Sequence, residues 1–128
     1  MSKHPFAVVL RISDVQLKRA ELENTLDCDV ERFEPQRKGG GQYAQVNLGE
    51  AADAVDPWAS VREFLANSGS RFPELIQNGS LSGAFIDAAY RFREEQVMIS
   101  RRIPADVAKL AGEAGIDIEV SVYKSFDE

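Results

Sequence analysis

The sequence predicts an α+β fold: one mainly antiparallel sheet with helices packed on one face. Three observations carry this expectation. Residues alternate apolar and polar near both ends of the chain. Between and beside these runs lie stretches with helical spacing. The 128 residues are enough for a single domain, 1–128, with a hydrophobic core of its own.

The opening strand is Phe6–Ile12, where Phe6, Val8, Leu10 and Ile12 share one side and Ala7, Val9 and Arg11 the other. A helix follows, with Leu22 and Leu26 stacked four residues apart. Cys28–Phe33 reads as a second strand and Tyr43–Leu48 as a third. Between them, "EPQRKGGGQ" places two cations and three glycines at a hairpin connection. A phosphate cradle would need a helix start after those glycines, and the residues that follow read as a strand.

Gly49–Val55 is small and acidic and reads as a loop. Asp56-Pro57 is a helix start, a capping side chain followed by proline, with Trp58, Val61 and Leu65 on one face. "NSGS" interrupts that helix, and "RFPELIQNG" adds a short one ended by Asn78-Gly79. Ala84–Phe92 alternates again, and Arg93-Glu94-Glu95 turns into a further strand, Gln96–Ser100. Pro104 opens the last helix, with Val107, Leu110, Ala111 and Ala114 at i, i+3, i+4 and i+7 and Gly115 as its cap. Ile116, Ile118, Val120 and Val122 form the inner face of a final strand.

A weak echo sets Leu26–Val30 over Ile116–Val120, each expected as a strand after a helix. Two strand–helix–strand units of this kind give the architecture a ferredoxin-like tendency. With helices on one side, the other face of the sheet is left to water or a partner.

The segment "VMISRRIPADVAKLAGEAGIDIEVSVY" resembles the ending of a small bacterial family, the domain of unknown function 4279 family. Other elements similar to that family are Phe6–Ile12, Leu22 with Leu26, Pro35 with Lys38-Gly39, Leu110-Ala111, Gly115 and Tyr123. Members often carry a tryptophan in the strand after the glycine turn, where this chain has Tyr43. The resemblance implies a fold and no activity.

Charge and composition narrow the function classes. Twenty-one acidic residues against 15 Lys and Arg leave a net charge of −6, which repels nucleic acid and favours a basic partner. A single cysteine, Cys28, allows no internal disulfide and suits a cytoplasmic location. No apolar run is long enough for a membrane span. One histidine, His4, and one cysteine leave no metal-ligand set, no nucleophilic triad and no cofactor motif. The chain therefore reads as a non-enzyme.

Two sets of binding residues emerge. Asp29 and Glu31 share a parity with Asp27 in the expected second strand, and Asp117 and Glu119 share one in the last. If those strands lie together, one face carries a dense negative field. That field would suit an immunity-type protein that inhibits a basic toxin or nuclease, with Trp58 or Tyr43 as aromatic anchor if exposed. The alternative to a binding face is a merely solvated one. The second set is basic: Arg37, Lys38, Arg91, Arg93 and Arg101 would take a small anionic ligand or an RNA. For "YRFR", Tyr90–Arg93, the competing explanation is a strand with one core side and one wet side. A homodimer through the open sheet face is a further possibility that the sequence leaves open.

Overall fold

The computed structural model describes residues 6–36, 40–51, 56–93 and 102–125. In chain order the elements are β1 (Phe6–Val15), α1 (Arg19–Leu26), β2 (Arg32–Pro35), β3 (Gln42–Ala51), α2 (Ala59–Ser68), α3 (Phe72–Gln77), β4 (Gly83–Arg93), α4 (Ala105–Ala114) and β5 (Asp117–Ser125). A single 3-10 turn, Gly69–Arg71, joins α2 to α3. The five strands form one sheet in the order β2-β3-β1-β4-β5. All neighbours are antiparallel except β4 and β5.

Read from the other side, the first four strands run β4-β1-β3-β2, the order of a ferredoxin-like sheet. The two strand–helix–strand units are β1-α1-β2 and β3-α2-α3-β4. The last helix and strand add a parallel β5 to the rim. The sequence echo had paired Leu26–Val30 with the final strand, but the structure makes 27–31 a loop and starts β2 at Arg32.

Local chemistry explains that correction. Asp27 closes α1 in the left-handed region (φ 53°), turning the chain away from an extended path. The backbone of Val30 is then satisfied by α1 side chains: its N–H donates to Glu23 Oε2 at 2.8 Å and its carbonyl accepts from Arg19 Nη2. With those groups paired, Val30 needs no neighbouring strand, and the first bond to β3 is from the Glu31 N–H to the Gln45 carbonyl at 2.7 Å. The carbonyls at the end of α1 are capped as well, Leu26 by the buried Ser68 hydroxyl at 2.6 Å and Thr25 by Arg71.

The glycine stretch joins β2 to β3, with Pro35 opposite Gln42 and Gln36 N–H donating to the Gly41 carbonyl. Gly41 has a specific reason to be glycine: an added Cβ would lie 2.6 Å from the Asp14 backbone. β3 continues to Ala51, so the expected loop at Gly49–Val55 is strand for its first three residues. The expected strand at Gln96–Ser100 lies outside the described residues.

The core sits between the sheet and the helices on one face. Val8, Leu10 and Ile12 of β1, Ala44 and Val46 of β3, and Ile86 and Ala88 of β4 are buried there. Leu22 and Leu26 of α1, Val61 and Leu65 of α2, Phe72 of α3, and Val107 and Ala111 of α4 meet them. Trp58 is 2% exposed and packs on Phe6, the ring centroids 5.2 Å apart, so it is a core residue and no surface anchor. Among the described residues no helix is long and apolar enough to cross a membrane.

Candidate functional site

The two expected acidic clusters are placed at opposite rims of the sheet. Asp29 and Glu31 precede β2, whereas Asp117 and Glu119 lie on β5. Four strand spacings separate these rims, about 19 Å. The two strands also run in opposite directions, as the pairings linking them require. No common acidic face forms.

A different acidic site appears on the β2 side. The loop 27–31, the end of β3 and one side of α2 enclose a cleft of about 680 Å³. Four acidic residues contribute to its lining, Asp27, Asp29, Glu31 and Glu63, with Val46 and Phe64 among the apolar lining and neither Lys nor Arg. Glu31 accepts a hydrogen bond from Gln45 Nε2 at 2.9 Å. The carboxylates of Asp27, Asp29 and Glu63 are exposed and meet no partner among the described residues. Such a lining attracts a cation in a concavity where the field of several charges converges.

Cys28 sits in the same cleft. Its thiol is pushed up to about 11, first by desolvation and then by the negative charges of Asp29, Glu23 and Asp27. A half-buried thiol with that pKa is a poor nucleophile at neutral pH.

The open face of the sheet holds a second polar group. Arg11, central on β1, donates from Nε to Asp87 Oδ2 at 2.9 Å and from Nη1 to the Tyr43 hydroxyl at 2.5 Å and Gln45 Oε1 at 3.1 Å. Tyr43 in turn donates to Gln45 Oε1 at 3.0 Å, and the Arg32 guanidinium lies over its ring. Burial alone would pull the Arg11 guanidinium down; its hydrogen bonds to Asp87 and Tyr43 outweigh this and hold it above its ordinary value. This network ties β3, β1 and β4 together across the face. Tyr43 is therefore half-buried within it.

Of the basic set, Arg91 alone has a described side chain. Arg37, Lys38 and Arg101 lie outside the described residues, as does the side chain of Arg93. Arg91 stands 6.0 Å over the Tyr123 ring. Among the described residues no group of three or more His, Cys, Asp or Glu is placed to hold a metal ion.

Sequence reasoning missed Glu63 and Arg11. Glu63 joins Asp29 only through the packing of α2 beside the 27–31 loop, 34 positions away in the chain. Arg11 showed itself as the charge that ends an apolar run. Its parity opposite Leu10 and Ile12 was the available signal for an open-face role.

No family model, curated protein or solved structure matches the chain. The site must be read from its own chemistry.

Proposed function

We propose that this domain is a non-enzymatic binding protein that seats a basic segment of a partner protein in the cleft beside β2. Its most concrete form is an immunity-type inhibitor of a basic toxin or nuclease. The observation that carries the reading is the cleft itself, lined by four acidic residues and by Val46 and Phe64, with neither Lys nor Arg in the lining. A Lys or Arg side chain entering it would meet several acids at its charged end while its methylene stem covers Val46 and Phe64. Complementary charge of this kind speeds capture and selects against acidic competitors.

Asp29 and Glu63 are surface groups, so their reversal leaves the fold intact. The test is fluorescence anisotropy with a labelled Lys/Arg-rich peptide, at low and moderate salt, on the wild type and the Asp29→Lys, Glu63→Lys double variant. Binding should weaken by more than about tenfold in the variant, roughly 1.4 kcal/mol or more. The wild-type affinity should also fall with salt. Equal binding by both proteins would remove the cleft from consideration. Stoichiometric inhibition of a basic nuclease by the wild type and not the variant would establish the narrower immunity reading.

A further inference from the structure

The sheet has two rims, and they are finished differently. β2 has four residues, two of them charged (Arg32 and Glu34), and ends in Pro35. Short length, charge and proline are the devices that keep an edge strand from recruiting another strand. β5 has nine residues, no proline and no interruption in its register with β4. It also carries three of the four exposed large hydrophobics among the described residues: Val120 at 44%, Val122 at 50% and Tyr123 at 51%. The fourth, Ile103, precedes α4.

We propose that β5 pairs antiparallel with β5 of a second copy of this chain, across a two-fold axis at Ser121. The register follows from the strand itself. Ser121 is the middle residue of Asp117–Ser125, so an axis there pairs every residue of the strand. On the helix side, Val120 falls opposite Val122 of the partner subunit, and the reverse, which joins the two exposed valines into one covered cluster. On the open side, Ser121 meets its own copy and Tyr123 falls opposite Glu119 of the partner subunit.

Charge complements that register. Within the chain, Glu119 is paired in the sheet with Asp87, a like charge whose own ion pair is with Arg11. Arg91 lies over the Tyr123 ring. Antiparallel pairing brings Glu119 of the partner subunit beside that Arg91–Tyr123 pair, and the contact occurs twice by symmetry. An axis at Glu119 would instead set two carboxylates face to face. The inference does not depend on the cleft beside β2, which lies at the far rim and would point outward from both subunits.

The experiment combines hydrodynamics with a register-specific cross-link. Sedimentation equilibrium at about 100 μM should give twice the chain mass of 14.2 kDa. Val122→Lys should weaken association by at least about tenfold, while its urea unfolding midpoint stays that of the wild-type monomer. In a Cys28→Ser background, Ser121→Cys should form an intermolecular disulfide on mild oxidation. Cross-strand Cα atoms about 4.5–5.5 Å apart lie within disulfide reach. Asp117→Cys in the same background should not, since its two copies would be roughly 26 Å apart at about 3.3 Å per residue. A monomer at every concentration would overturn the proposal. So would a dimer indifferent to Val122→Lys, or one that cross-links at Asp117→Cys and not at Ser121→Cys.

Discussion

β2 ends the sheet with Arg32, Glu34 and Pro35 in four residues, while β5 ends it with nine residues that leave Val120, Val122 and Tyr123 in the open. Among the described residues both strands have one unpaired side, and both pair fully with a neighbour on the other. The difference lies in what each offers a passing strand. β2 would have to desolvate an ion pair, Arg32 to Glu34 at 2.7 Å, and it lacks one N–H at Pro35. β5 would cover apolar surface that is already costing free energy in water. One rim carries the devices that oppose association and has the acidic cleft beside it; the other lacks them and exposes Val120, Val122 and Tyr123. The proposed seat for a basic segment and the proposed β5 pairing thus fall on separate rims, where neither would obstruct the other.

If the rims govern association, monomer stability should reside in the middle of the sheet. Arg11→Ala is the largest test of that division. Removing the guanidinium leaves Asp87, whose side chain is 15% exposed and whose Oδ1 already has no hydrogen-bond partner among the described residues, without its ion pair. Breaking a fully buried pair costs about 3–5 kcal/mol; with Arg11 itself 32% exposed, the expected loss is about 2 kcal/mol in urea unfolding. The Arg11→Ala, Asp87→Ala double variant should recover part of that loss, because no lone carboxylate remains. A loss below about 0.5 kcal/mol for Arg11→Ala would show that the open-face network holds nothing together.

The comparison can be sharpened from the β2 side. Replacing Arg32 and Glu34 with valine removes the charges that guard this rim while keeping residues suited to a strand. Monomer stability should change by less than about 1 kcal/mol, since the exposed ion pair contributes little. New concentration-dependent light scattering should appear, in addition to any dimer through β5. Unchanged scattering would mean that the strand's length and Pro35 suffice without the charges.

The smallest effect concerns the helices, away from either rim. Arg62 of α2 donates to Asp106 of α4 at 2.5 Å and to Asp56 at 2.6 Å. The hydrogen bond from Arg62 holds the Asp106 carboxyl below its ordinary value. A carboxylate depressed in the folded state stabilises the fold above the usual carboxylate range, and that contribution fades as pH falls through the lowered value. Asp106→Asn should therefore lose a little stability at neutral pH and show a shallower decline between about pH 5 and pH 2. Parallel urea midpoints across that range for variant and wild type would mean the pair has no net effect.

Much of the architecture was legible in the chain because its cues are local. Alternation in Phe6–Ile12 and Ala84–Phe92 reports a half-buried strand wherever the strand ends up. Leu22 with Leu26, and Val107 with Ala111 and Ala114, mark a helix stripe; Gly115, at φ 73°, closes α4 as expected. The failures occurred where side chains of another element took over the backbone or covered a side chain. Cys28–Phe33 has the composition of a strand, but Glu23 and Arg19 satisfy Val30 first. Trp58 stands at a helix start, yet Phe6 covers it. The acids at 29, 31, 117 and 119 have matching parity, but parity contains no strand order.

The sequence by itself determined the fold class, one sheet with a buried and an open face, and the acid-rich composition of the chain. Each of these follows from periodicity or counting, which short-range sterics and solvation enforce residue by residue. Only the tertiary structure decided which strands became rims, that Glu63 faces Asp29 across a cleft, and that Val120 and Val122 lie on the helix side but remain uncovered. Those outcomes depend on which strand pairs with which and on how far the helices reach across the sheet. Packing of the whole chain settles both, and no window of neighbouring residues contains them.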